Sequence, residues 1–240
     1  MISGKTIVLC GYNWAGCKAL ELLTHAGAIV HVFTHEAESH IPDLFEYASH
    51  LGVPVTVARP TPESMPVDAD LICSIYFRHK IMIESIRRCK RGGINLHPSL
   101  LPKYKGCSSL TWAMVNGERN AGFTYHYLTE NFDEGRILLQ RAFPIESFDT
   151  QLNLYQRAMF MAMDHLMIAV ELALLGVDGT SQEGDSSYYR RGAPFDGLID
   201  PGWDEERVRR FIRAMKNPPY SPAKLGGQDV YRYSDIHQNA

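Results

Sequence analysis

The five cysteines, at positions 10, 17, 73, 89 and 107, include no CxxC pair. That absence argues against a disulfide framework and against a zinc cage, and a reducing cytoplasm is the expected setting. A basic excess is missing too. The net charge is −3 with histidine neutral, so a broad phosphate-binding face for nucleic acid is not expected. No apolar run approaches the ~18–20 residues that span a bilayer. The opening "MISGKTIVLCGYNW" lacks the apolar stretch and cleavage site of a signal peptide. Neither a nucleic acid nor a membrane is therefore expected as a partner. What is present is ample hydrophobic material, 45% of 240 residues, enough for one large domain or one with a small appendage.

That material is arranged in alternation. "KTIVLCG", "AIVHVFTH", "VPVTVA", "ADLICSIY" and "GGINLH" read as buried strands. Between them "WAGCKALELLTHAG", "IPDLFEYASHLG" and "KIMIESIRRC" read as helices, with glycine stops at Gly27 and Gly52. The pattern predicts an α/β fold with a Rossmann-like, mostly parallel sheet covered by helices on both faces. "SSLTWAMVNGE" adds a helix. "AGFTYHYLTE" and "RILLQRAFPI" are expected as an antiparallel pair appended to the sheet. The longest helix runs from about Thr150 to Gly176, and its methionines and leucines are assigned to core packing. Residues 1–177 are expected to form the main domain. Residues 178–240, polar and rich in glycine and proline, are an extension too small for its own core. Within it "DEERVRRFIRAMKN" is a short amphipathic helix and "DVYRYS" a candidate last strand.

Two nucleotide-binding signatures fail. The first strand–turn–helix reads G-Y-N-W-A-G-C-K, where a dinucleotide fold needs G-x-G-x-x-G and a P-loop needs Lys directly after its second glycine. Neither NAD nor ATP is supported, and Gly11 and Gly16 are assigned to the turn and to close helix–strand packing. His31, His35 and His40 lack a metal-binding spacing and are read as structural or solvated.

Asn95 and His97, in "INLHPSLLPKYKG", are different. Residues two apart on a strand point to one side, so an amide and an imidazole face one space at a strand's carboxyl end, where open α/β sheets bind ligands. Alone, the pair could equally be a hydrogen-bonded core histidine beside a turn asparagine.

The wider pattern is more specific. Asn-x-His, then S-L-L-P-x-Y-x-G, then "WAMVNGE" and "GFTYHYLTENFDEGRILLQ" resemble the 10-formyltetrahydrofolate-dependent formyltransferases. Asp133, 36 residues after His97, stands in the family's D-x-G form. "VFTHE", "SIYFRHKI", "YYRRGAPFDGLIDPGWD" and "RFIRAMKNPPYSPA" are similar to the branch acting on nucleotide-linked amino sugars, which includes the formyltransferase domain of the lipid A aminoarabinose enzyme. The resemblance covers about residues 1–225. The methionyl-tRNA members carry a further barrel-like domain that is not expected here, and with the acidic balance this argues against tRNA as acceptor.

The resemblance implies formyl transfer from 10-formyltetrahydrofolate to an amine, without a metal. Asn95 would donate to the developing oxyanion, His97 would act as general base, and Asp133 would orient His97 or relay a proton. Phe77, Arg78, Ile81 and Phe132 would line the folate cleft. Ser99, Tyr104, Lys105, Gly106, Arg190 and Arg191 are candidates for the acceptor, with Pro98 and Pro102 stiffening the loop. A non-sugar amine such as hydroxyornithine or an amino acid, and hydrolysis of formyltetrahydrofolate, stay open as alternatives, and a non-catalytic folate- or nucleotide-binding module is disfavoured by the intact trio. A homodimer through the apolar Phe211, Ile212 and Met215 is one expectation for the tail; packing of that helix on its own subunit is the other.

Overall fold

The apolar runs become strands of one sheet in the computed structural model, which describes residues 2–237. Strands β1 (Thr6–Gly11), β2 (Ile29–Thr34), β3 (Val55–Val57), β4 (Leu71–Ile75) and β5 (Gly93–His97) pair in parallel. A two-residue β6 (Lys105–Gly106) precedes β7 (Asn120–Tyr127) and β8 (Ile137–Pro144), and the order across the sheet is β3-β2-β1-β4-β5-β7-β8. Every residue of β1 and β4 is buried. Strands covered on both faces need apolar residues at every position, so they read as unbroken runs rather than alternation. β7 pairs antiparallel with β5, setting Asn95 opposite His126 and His97 opposite Thr124. β8 returns beside it: Tyr127 N–H donates to Arg136 at 3.0 Å, and Gln140 meets Thr124 at 2.8 Å. The mostly parallel α/β sheet with an antiparallel addition is the expected one.

The helices are α1 (Asn13–His25), α2 (Leu44–His50), α3 (Ile83–Arg88), α4 (Ser109–Val115), α5 (Gln151–Leu175) and α6 (Glu205–Ala214). Gly16 of α1 lies directly on Gly11, the close helix–strand packing expected of that pair. Asp43 caps α2 by accepting from the Phe45 amide at 2.7 Å, satisfying a donor the helix itself cannot. α5 buries Leu166, Ala169, Val170 and Ala173 in the core. It also corrects one expectation. Its 25 residues contain an 18-residue window of mean hydropathy 1.7, long and apolar enough by composition alone to cross a membrane, with 44% of that window buried inside the protein. Isolated polar residues such as Asp164 interrupt the run in the sequence, yet the average of the window stays high.

Contacts divide the chain into two units. One holds the chain up to His97, Thr124–Gln140 and Met161–Glu183. The other holds Pro98–Phe123, Arg141–Phe160 and the chain from Gly184. In the second, β9 (Tyr188–Tyr189) pairs in parallel with β6, and β10 (Ala223–Leu225) forms a hairpin with β11 (Gln228–Val230). The candidate last strand is thus limited to the start of "DVYRYS". Phe211, Ile212 and Met215 are buried, and Phe211 packs edge-on to Trp203 at 5.1 Å. Of the two expectations for this helix, packing within its own subunit is the one their burial supports: their own unit covers all three side chains. An amphipathic pattern shows that a face is covered, not by what.

Asp70, buried at the entry to β4, ties three segments together. It accepts from the Thr6 amide at 3.0 Å and pairs with Lys90 at 3.3 Å and Lys5 at 3.5 Å. Burial alone would raise its pKa; the Thr6 amide and the two lysines outweigh burial and hold it below the ordinary carboxylate value. A folded pKa below the unfolded one gives stability present above about pH 4 and lost as pH falls through the folded pKa. The lysines are exposed and contribute little. Asp70→Asn is therefore expected to cost about 1 kcal/mol at neutral pH, mostly through the Thr6 contact, and to flatten the acid limb of Tm against pH. An unchanged acid limb would remove Asp70 from that role.

Candidate active site

The first unit assembles a polar cluster at the carboxyl end of β5. Alternation along β5 puts Asn95 and His97 on one side, and the antiparallel register puts His126 and Thr124 opposite them. The β7–β8 turn returns Asp133 to the same place. Its Oδ2 lies 3.5 Å from His97 Nδ1 and its Oδ1 lies 3.4 Å from His126 Nε2. His97, His126 and Asp133 are all buried. A carboxylate at that depth is costly unless paired, and the ring nitrogen placed to bring it a proton is His97 Nδ1. The 3.5 Å separation is longer than a formed N–H···O bond, as catalytic contacts often are before substrate binds.

Asn95 is held from two sides. Ser74 Oγ donates to its Oδ1 at 2.8 Å, and its Nδ2 lies 3.1 Å from His126 Nε2. His126 Nδ1 is 2.9 Å from the Tyr127 carbonyl. A carbonyl only accepts, so Nδ1 carries a proton, and in the neutral ring Nε2 accepts from Asn95. One amide N–H is thereby used, and among the described residues the second makes no hydrogen bond within the protein. It is the donor that could meet an oxyanion.

The Asp133 loop is fixed through its backbone. Asp133 has φ of 55°, a left-handed conformation that aspartate tolerates better than most residues. Gln182 Nε2 donates to the carbonyls of Asp133 at 2.7 Å and Gly135 at 2.8 Å. Gly135 lies against β7 so closely that a Cβ there would stand 1.7 Å from the Tyr127 carbonyl oxygen. The glycine of D-x-G is thus set by close approach.

A paired amide, imidazole and carboxylate suit acyl transfer, and the comparisons agree. The family model described as formyl transferase matches residues 6–170. The chain belongs to the formyl transferase family. It is 44% identical over 175 residues to the GDP-perosamine N-formyltransferase of Brucella melitensis biotype 1, covering 72% of this chain and 68% of that protein. It is 40% identical over 154 residues to the bifunctional polymyxin resistance protein ArnA of Wigglesworthia glossinidia brevipalpis, which spans 62% of this chain and 23% of that one. Among solved structures, the sugar 3N-formyltransferase WlaRD, crystallised with dTDP and 5-N-formyl-THF, superposes with a TM-score of 0.81 over 95% of this chain and 85% of its own, at 20% identity. A 4-N-formyltransferase from Francisella tularensis gives 0.79 over 94% and 95%, at 17% identity. At these identities the structural likeness is one of fold.

The other residues of this formyl transferase singled out in the sequence take varied places. Ile81 is buried in a core cluster with Val8, Cys10 and Phe33, and Phe77 packs against that cluster. Arg78 donates to Tyr12 Oη at 3.0 Å and pairs with Glu38 at 3.2 Å. Phe132 is exposed. In the second unit, Ser99 Oγ donates to the Lys103 carbonyl at 2.8 Å, closing its own loop; the hydroxyl on Asn95 is that of Ser74. Tyr104 is buried, its hydroxyl donating to Glu118 at 2.9 Å and its ring stacked on Tyr189. Burial first, and Glu118 after it, push that phenol's pKa up. The Lys105 amide donates to Ser187, and a Cβ on Gly106 would stand 2.2 Å from the Tyr189 carbonyl oxygen. Thus "YKG" and "YYRRG", far apart in sequence, form one short ribbon. Arg190 and Arg191 follow it, both exposed.

Sequence reasoning missed His126, Ser74 and Gln182. Ser74 did carry a signal, a hydroxyl inside the apolar "LICSI". His126→Phe removes the ring nitrogen that faces both Asn95 and Asp133 and is expected to lower kcat roughly tenfold to a hundredfold. His126→Gln, which keeps a polar group there, is expected to restore most of the rate. Equal losses in both would leave His126 a packing residue.

Proposed function

We propose that the protein is an N-formyltransferase that moves a formyl group from 10-formyltetrahydrofolate to the amine of a nucleotide-linked amino sugar, at Asn95, His97 and Asp133. The observation that carries this reading is the buried cluster of amide, two imidazoles and carboxylate at the end of β5. The named relatives support the acceptor class: one acts on GDP-perosamine, and an N-formyltransferase from Helicobacter canadensis was solved with folinic acid and dTDP-3-aminofucose.

The amine nitrogen attacks the formyl carbon, and the carbonyl oxygen gains charge as the carbon becomes tetrahedral. The second N–H of Asn95 meets that oxygen. Asp133 beside Nδ1 holds a proton on that nitrogen of His97, which leaves Nε2 as the base for the proton released from the amine. Collapse breaks the bond to folate N10, and the proton on His97 is the one N10 needs. Water exclusion by the burial of His97 and Asp133 strengthens each of these contacts. Phe77, Arg78, Ile81 and Phe132 are assigned to the folate in this reading. We assign Lys105, Arg190 and Arg191 to the nucleotide diphosphate, with Ser99, Tyr104 and Gly106 shaping the acceptor loop. Residues 1–177 are the catalytic domain in this reading, with 178–240 an extension that serves the acceptor in a reducing cytoplasm.

The test follows tetrahydrofolate release from 10-formyltetrahydrofolate with GDP-perosamine, dTDP-3-aminofucose and related nucleotide-linked 3-amino and 4-amino sugars. Turnover with at least one is expected. Turnover with none, or at an equal rate without any amine, would overturn the proposal.

A further inference from the structure

We propose that Tyr76 is the platform for the acceptor's sugar ring; this rests on the function proposed above. The sheet order reverses at β1. The chain leaves β1 for β2 and β3, then crosses to β4 on the other side. In open α/β sheets the crevice at such a reversal, outside the carboxyl ends of the strands, is where ligands bind. Tyr12 follows β1 there and Tyr76 follows β4. The registers Gly11↔Ile75 and Ile75↔Leu96 put Tyr76 level with Tyr12 on one neighbouring strand and with His97 on the other.

The two rings differ in state. Tyr12 is 1% exposed, with the Arg78 guanidinium 4.4 Å from its ring centroid. Tyr76 lies parallel to it, centroids 6.5 Å apart, and is 40% exposed. Its φ is 60°, a backbone conformation that a bulky L residue rarely adopts and that tends to persist where function requires it. The next residue, Phe77, packs on the core instead. The strand therefore ends by holding one aromatic ring out in strained backbone, one strand away from the catalytic imidazole.

Two substrates must meet at His97. On the far side of β5, in the Asp133 loop, Phe132 is 52% exposed. One exposed ring thus flanks β5 on each side in the strand order. Of the segment after β4, Phe77 and Ile81 pack on the core and Arg78 is held by Tyr12 and Glu38, which leaves the exposed ring of Tyr76 for the acceptor. The neighbouring cation, Arg78, is already paired with Glu38, so this place suits a neutral sugar ring better than a diphosphate. A tyrosine offers an apolar face to sugar C–H groups and a hydroxyl to their oxygens.

Steady-state kinetics of the full chain, varying GDP-perosamine and 10-formyltetrahydrofolate separately, test this with Tyr76→Gly and Tyr76→Phe; the panel sugar turned over fastest replaces GDP-perosamine if that one is inert. Glycine accepts the left-handed backbone without strain, so Tyr76→Gly is expected to melt at or above the parent temperature. Its KM for the sugar is expected to rise about tenfold. KM for the folate stays within about twofold, and Tyr76→Phe keeps most of the affinity. If glycine lowers Tm, Tyr76→Asn, which also tolerates this backbone, carries the same comparison. An unchanged sugar KM in a folded variant, or a rise in folate KM instead, would overturn the inference while leaving the reaction intact. A parent enzyme inert with every amino sugar would remove the reaction and the inference together.

Discussion

His97→Asn is expected to lower kcat about 10²–10⁴-fold, the range of a lost general base, while the protein still folds. The geometry says why the loss should fall on kcat. His97 is 4% exposed and faces Asp133 at 3.5 Å, so its role lies in moving a proton rather than in holding a substrate's periphery. Asn95→Ala is expected to lose about 10²–10³-fold, the effect of removing one oxyanion donor. Asp133→Asn should lose a comparable amount, because an amide no longer favours the proton on His97 Nδ1. The three act as a unit, so the double variant Asn95→Ala/His97→Asn should lose less than the product of the single losses. Circular dichroism and Tm separate these effects from unfolding. A near-normal rate in any one folded variant would remove that residue from the mechanism.

The second large effect is expected from a methyl group. Gly135→Ala puts a Cβ 1.7 Å from the Tyr127 carbonyl oxygen and 2.6 Å from its carbon. Both are backbone atoms, so no side chain can swing away. The turn must shift, and with it Asp133 two residues earlier and the two Gln182 contacts. Overpacking of this kind costs about 1–3 kcal/mol or more. A displacement of about 1 Å at a catalytic group costs on the order of 10²-fold in rate. Glu134→Ala, at the exposed position between them, should change stability by less than about 0.5 kcal/mol. Equal behaviour of the two variants would show that the glycine of D-x-G is not fixed by this contact.

Much of the sheet was legible because burial on both faces leaves an uninterrupted apolar run, as in "TIVLCG" and "LICSI". Asn95 and His97 were legible because a period of two places them together and a polar pair breaks such a run. Asp133 was not reachable by periodicity: it stands in a turn 36 residues away, and only the family pattern linked it. His126 was hidden for the opposite reason. It sits in the regular alternation of "GFTYHY", one histidine among ten, and its function comes from a strand pairing that local sequence does not encode. Gln182 lies in a polar stretch where every residue reads as solvated. The ribbon between Lys105–Gly106 and Tyr188–Tyr189 is likewise a long-range contact of two short loops. Phe211 and its neighbours announced a covered face, but only tertiary packing identifies the cover.

The most direct test of formyl transfer at Asn95, His97 and Asp133 follows isotope-labelled formyl from 10-formyltetrahydrofolate into product, with the panel sugar turned over fastest. Label is expected in the sugar amide, one per tetrahydrofolate released, with loss of that incorporation in His97→Asn. Label recovered as formate at the same rate with or without the sugar would contradict that expectation.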